Sequence, residues 1–257
     1  MDESEVKEKK KKVRKGYSVI LTPRDLEILE FILDMKFASI EDIFEKFFKV
    51  TLAGEEAKSN EWAVRRLQQL SKVGYLKGVH SFSERTKFYL ATIKAYQEVS
   101  RNKPEQEVLK PSKVIDHRTF DHDRLVLEAR IMLENKRAAS CWVSDKKLRS
   151  SAELSGGLTL SNVPDGIYKS ENGQKVAFEI ELSKKSPKEI ISKIKRYVSM
   201  MRSENTKVRV FDRVVYVCAK KYSYDLLVKE TKIYGDLFEV MTFAGFFGEG
   251  NSYEPQG

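Results

Sequence analysis

The chain has 257 residues, 41% hydrophobic and 33% charged, with 47 Lys and Arg against 38 Asp and Glu for a formal net charge of +9. That composition suits a globular protein with room for two compact units and excludes a disordered chain; no run approaches the roughly 20 apolar residues that cross a bilayer. A positive balance favours polyanionic partners, an argument that gains force only where the basic residues fall on particular faces.

Residues 1–16 read as a basic disordered tail: Lys7, Lys9, Lys10, Lys11, Lys12, Arg14 and Lys15 stand among four acids, too polar a run to order itself. Two roles stay open for it, following a phosphate backbone or solubilising the end. It lacks the apolar middle of a secretory signal, so the expected location is the cytoplasm.

A first helix opens at Thr22-Pro23-Arg24-Asp25, with Thr22 as cap, Pro23 at the first position and Asp25 at the positive end. Leu26, Leu29, Ile32, Leu33 and Met35 give it an apolar stripe. Ser39 caps a second, short helix in which Ile40, Ile43, Phe44, Phe47 and Phe48 recur at helical spacing. The third, about Glu61–Val73, turns Ala63, Leu67, Leu70 and Val73 inward and stops at Gly74, where a left-handed residue is needed. Arg65, Arg66, Gln69 and Lys72 remain on its outer side, residue types that reach phosphates and base edges together. On that helix alone a solvated face is the better explanation of them.

Two strands follow, Tyr75–Phe82 and Lys87–Ala91, with Arg85 and Lys87 near the hairpin tip. Three helices and then a hairpin is the order of a winged helix, and the pattern Leu70-x-x-Val73-Gly74-Tyr75-Leu76 resembles the end of the recognition helix in bacterial winged-helix regulators. The expected DNA-binding residues are therefore Arg65, Arg66, Gln69, Lys72, Arg85 and Lys87. A helix at about Ile93–Ser100 closes a unit spanning 17–101, and the polar, proline-containing stretch 102–115 reads as a linker.

A second unit is expected over 116–245, followed by a C-terminal tail, 246–257. Its helix at Thr119–Asn135 precedes strands at Ala139–Val143, Pro164–Tyr168 and Lys175–Leu182; Pro187 opens a basic helix to about Met201, and Arg213–Ala219 is another strand. A Gly- and Ser-rich loop fills 150–162. Cys141 and Cys218 fall inside strands among apolar neighbours and are read as two buried free thiols. His117 and His122 stand five apart and share no helix face, so His122 is given a structural or capping role beside the site below, and Glu128 that of a solvated helix acid.

The order helix–strand–strand–strand–helix–strand resembles the core of the PD-(D/E)XK nuclease superfamily, with Pro164-Asp165 and Phe178-Glu179-Ile180-Glu181-Leu182-Ser183-Lys184-Lys185 at its two signature positions. Residues i and i+2 of a strand share a face, so Glu179 and Glu181 point together while Ile180 points away. A hairpin through Glu171-Asn172-Gly173 brings Asp165 alongside, and three converging carboxylates call for a divalent cation or a Lys. The resemblance implies Asp165, Glu179 and Glu181 as ligands of Mg²⁺ or Mn²⁺ and as catalytic residues. The superfamily's lysine position is Glu181 here, and Lys184, just past the strand, is the expected replacement. Cleavage, cation binding without cleavage, and a scaffold that only holds DNA all remain open.

Over about residues 20–220 the chain also resembles the replication-relaxation family of plasmid and mobile-element proteins. That resemblance is carried by the winged helix, the His122 helix, Trp142-Val143-Ser144-Asp145-Lys146-Lys147-Leu148-Arg149, Val163-Pro164-Asp165-Gly166, Glu179–Ser186 and Tyr197. It implies an α+β protein, a winged helix-turn-helix followed by a restriction-endonuclease-like domain, acting on double-stranded DNA in replication, mobilisation or DNA processing, alone or as a homodimer with replication or mobilisation proteins. The competing reading is a non-catalytic regulator whose second domain serves dimerisation.

Overall fold

Thr22 and Asp25 close a reciprocal capping box at the start of helix α1 (Pro23–Met35), and Ser39 and Asp42 close another at α2 (Ile40–Phe47). The structure, a computed structural model, describes residues 18–50, 54–81, 86–151, 158, 162–205 and 208–248. The basic tail, Arg85 at the hairpin tip, most of the Gly- and Ser-rich stretch and the C-terminal tail beyond 248 lie outside the described residues. Among those described, the chain is a mixed α+β protein with two sheets.

The first sheet joins β1 (Ala38–Ser39), β2 (Leu76–His80) and β3 (Lys87–Ala91) in the order β1-β3-β2, all antiparallel. Helix α3 (Glu61–Lys72) enters it through Gly74, whose φ of +82° is the left-handed conformation expected there. Strand β1 was not anticipated: two residues carry no periodicity, and only pairing with Phe88 and Tyr89 makes them a strand. Helix α4 (Ile93–Asn102), capped by Thr92, lies across α1.

The second sheet runs β4-β5-β6-β7-β8, from β4 (Ser140–Ser144), β5 (Gly166–Lys169) and β6 (Lys175–Glu181) to β7 (Arg213–Cys218) and β8 (Phe238–Thr242). The first three pair antiparallel and the last three parallel. Around them, in chain order, stand α5 (Phe120–Lys136), α6 (Asp145–Ser150), α7 (Pro187–Met201), α8 (Lys221–Thr231) and α9 (Phe243–Phe247). Helices α6, α8 and α9 and strand β8 are additions to the expected core.

Strand parity divides the interior. Val176, Phe178 and Ile180 pack with Trp142, Tyr168 and α5 in a core that continues to Ile28, Leu29 and Ile32 of α1, while Ala177, Val214 and Tyr216 pack under Ile190, Ile194 and Tyr197 of α7. Phe37 and Phe88 meet Phe120 at ring separations of 5.3 and 5.2 Å, so aromatic packing also crosses between the two sheets' units. In the stretch 103–119, Leu109 and Ile115 are buried. Cys218 is buried as expected, but Cys141 is exposed. An irregularity in the β4–β5 register and a φ of +53° turn Cys141 out of the alternation that a regular strand would impose.

Candidate DNA interface and carboxylate site

On α3 the outward stripe consists of Trp62, Arg65, Gln68 and Lys72, all exposed. Arg65 makes a loose 3.8 Å pair with Glu61, one turn back. Arg66 is different. Its Nε and Nη2 donate to Asp25 at 2.6 and 2.5 Å, Nη1 donates to Gln69 Oε1 at 2.8 Å, and Nη2 also reaches the Ile20 carbonyl. Asp25 is 1% exposed, so its charge needs a partner. Burial would raise its pKa, but the hydrogen bonds from Arg66 and Thr22 hold it below the ordinary carboxylate value. Arg66 therefore braces α1 against α3, with Gln69 accepting from it on the same helix, and both are half-buried where the sequence reading placed them on the outer side. Lys87 is exposed at the start of β3, its stem covering Gly78 and its ammonium 5.2 Å from the Tyr89 ring.

At the second site, Asp165 continues the β5–β6 ladder. Its N–H donates to Phe178 O at 3.0 Å, and its Oδ2 accepts from Ile180 N at 2.7 Å. Glu179 and Glu181 share the α7 side of β6, as strand parity requires, and both are buried. Each acid then meets its own partner. His122 Nε2 lies 3.2 Å from Asp165 Oδ2. Lys193 of α7 sits 2.7 Å from Glu179 Oε1, which also accepts from the Tyr197 hydroxyl. Lys185 sits 2.6 Å from Glu181 Oε2. Lys184, the expected replacement lysine, is exposed with its ammonium 4.6 Å from the Tyr222 ring; one residue's difference beyond the strand end turns Lys185 inward and Lys184 outward.

A second layer of charge reaches His122 from the first unit. Lys36, at φ +74° just past α1, places its ammonium 2.7 Å from Asp123 and 3.7 Å from Asp145. Burial would lower the His122 pKa, but the charge of Asp165 and the hydrogen bonds to Asp123 and Asp165 overcome it and raise it to about 10. Burial likewise works to raise Asp165, and the charge and hydrogen bond of His122, with Lys193 behind them, hold it low. Glu179 is raised, chiefly by burial, with the charge of Asp165 adding to it against Lys193. At neutral pH His122 is thus an imidazolium whose Nε2 donates to Asp165.

Lys193 stands four residues before Tyr197, one helical turn, which is the sequence signal that could have placed it at the site. Nothing local signals Lys36, since its nearer partner in the chain, Asp123, lies 87 residues away. Glu128 pairs with Arg124 at 3.0 Å, away from these acids.

The family model described as Replication-relaxation matches residues 29–214, from α1 to the start of β7. The chain belongs to the replication-relaxation family. No curated protein matches it. Membership connects this replication-relaxation protein with replication, and its matched span takes in both α3 and the acids around Asp165.

Whether those acids suit a divalent cation is decided by their occupancy. The bonds to Asp165 fall on Oδ2 from an imidazolium and a backbone N–H, those to Glu179 on Oε1 from an ammonium and a hydroxyl, and Glu181 is paired with Lys185. The cavity lined by His122, Asp165 and Lys36 takes in Asp165 but neither Glu179 nor Glu181, so the three acids open onto no common space there. Among the described residues no group of three His, Cys, Asp or Glu side chains is arranged to hold a metal ion. The residues as arranged do not fit the expected Mg²⁺ or Mn²⁺. Protein cations already neutralise the three carboxylates. Among the described residues, no helix is long and apolar enough to cross a membrane.

Proposed function

We propose that this replication-relaxation protein binds double-stranded DNA of a plasmid or mobile element through a winged helix formed by α1–α3 and the β2–β3 hairpin, and that its nuclease-like second unit holds DNA or partners without cutting. The observation that carries the reading is the division of labour on α3. Arg66 is withdrawn to brace the fold, while Arg65, Gln68 and Lys72 stand outward in a stripe that offers both phosphate-seeking and base-reading groups. Lys87 adds a positive charge beside the hairpin tip. The family's connection with replication supports the same reading.

The element order α5, β4, β5, β6, α7, β7 supports reading the second unit as PD-(D/E)XK-like, with Asp165 and Glu179 as its signature acids. Their charges are spent on His122 and Lys193, so the carboxylates serve as internal counter-charges. Incubation with supercoiled and linear plasmid DNA, with and without Mg²⁺ or Mn²⁺, tests both halves. The expected result is retarded, intact DNA in every lane, with retardation weakening steeply as salt rises. Metal-dependent nicking lost in Asp165→Asn would overturn the non-cutting half, and no retardation at low salt would overturn the DNA-binding half.

A further inference from the structure

Two large apolar side chains stand in water beside Arg66. Trp62 is 71% exposed in the first turn of α3, and Ile20 is 90% exposed. Arg66 Nη2 ties the Ile20 carbonyl at 2.9 Å, and Trp62 lies one helical turn before Arg66 on the same edge of α3. The Arg65 guanidinium carbon is 5.9 Å from the Trp62 ring centroid, so the indole is flanked by a cation. The rest of the outward stripe, Gln68 and Lys72, is polar or positive.

We infer that Trp62 is the apolar specificity contact of α3 and reads thymine C5-methyl groups in the major groove. The inference rests on the DNA-binding reading and deepens it. Three observations favour this occupant. The thymine methyl is the one apolar group that base edges present in the major groove. Recognition helices of this kind contact base edges with their N-terminal residues, and Trp62 is the second residue of α3. The exposed indole is flanked by the Arg65 guanidinium, whereas the core of a protein–protein interface is depleted of charge.

The test compares a plasmid-derived duplex made with thymidine against the same duplex made with deoxyuridine, which lacks only the methyls, using the full chain in a buffer without divalent ions. Wild type should bind the thymine duplex more tightly, by about fourfold for each methyl buried, since burying one such group contributes ~0.8 kcal/mol. Trp62→Ala should bind both duplexes alike, and Trp62→Leu should keep part of the preference because it keeps apolar surface. Arg65→Ala should weaken both and leave the ratio unchanged. An unchanged ratio in Trp62→Ala, or no preference in wild type, overturns the thymine assignment while DNA binding stands. A Trp62→Ala protein with the wild-type ratio but a lost self-association in sedimentation assigns the patch to a second copy instead. Failure of wild type to bind either duplex removes the DNA-binding reading, and this assignment with it.

Discussion

Arg66 lies next to Arg65 in the sequence and differs from it in everything that decides a mutational outcome. Truncating Arg66 leaves Asp25 buried and without its cation, so Arg66→Ala should cost about 3 kcal/mol in urea denaturation, the scale for breaking a buried ion pair from one side. Arg65→Ala should change stability by less than about 0.5 kcal/mol and lower the salt slope of DNA binding by about 1. Equal destabilisation by both variants would refute the bracing role. His122 gives a second expectation at this scale. Its folded pKa of about 10 lies above the ordinary 6.5, so its contribution is fully present below about 6.5 and is lost as pH rises through about 10. Asp165, held low, works in the other direction: its contribution is present above 3.8 and is lost as pH falls through its lowered folded value. The melting temperature of wild type should therefore fall between about pH 7 and about pH 8, below the range where Cys218 begins to matter, since its thiol, pushed up to about 12 in the fold, ionises near its ordinary value once unfolded. His122→Gln should flatten that fall; an unchanged slope would show that the proton sits elsewhere.

Elements whose ends are fixed by local chemistry were legible in the sequence. Thr22 and Ser39 cap the helices expected of them, Gly74 takes the left-handed turn, and strand parity alone puts Glu179 and Glu181 on one side. Directions set by long-range contact were not. Lys193 reads as one more cation on a basic helix until β6 supplies a buried Glu179, and Lys184 and Lys185 are indistinguishable until the chain's exit from β6 turns one inward. Strand β8 and its flanking helices follow the last expected strand and extend the sheet by parallel pairing alone. Gly166 belongs to the motif read from sequence, but its physical reason is tertiary: a Cβ there would come within 2.2 Å of the Trp142 ring. Gly166→Ala must displace the indole from its place against Tyr168 and Phe178, and should cost about 1–3 kcal/mol in denaturant midpoint analysis. A neutral substitution would mean that β4 yields without loss.

Across the whole molecule, the two sheets are joined by more than the stretch 103–119. Asp34 of α1 accepts from Arg130 and from Ser144 Oγ at 2.5 Å each, Lys46 pairs with Glu134, and Lys146 donates to the Leu33 carbonyl at 2.8 Å, all beside a shared apolar core. Limited proteolysis that cuts within 103–113 should therefore yield two fragments that co-elute in size exclusion and part only in denaturant. Separate elution in native buffer would show that this packing is too weak to outlast the chain connection. The ends of α1 give this arrangement a mechanical meaning. The helix has thirteen residues, a rod of about 20 Å; Asp25 near one end grips Arg66 in the middle of α3, and Asp34 and Lys36 at the other are pinned among Arg130, Ser144, Asp123 and Asp145. On the DNA-binding reading proposed above, a rod held at both ends predicts coupling: DNA bound at α3 should change hydrogen exchange at the His122–Asp165 corner, and any such coupling is reciprocal in free energy.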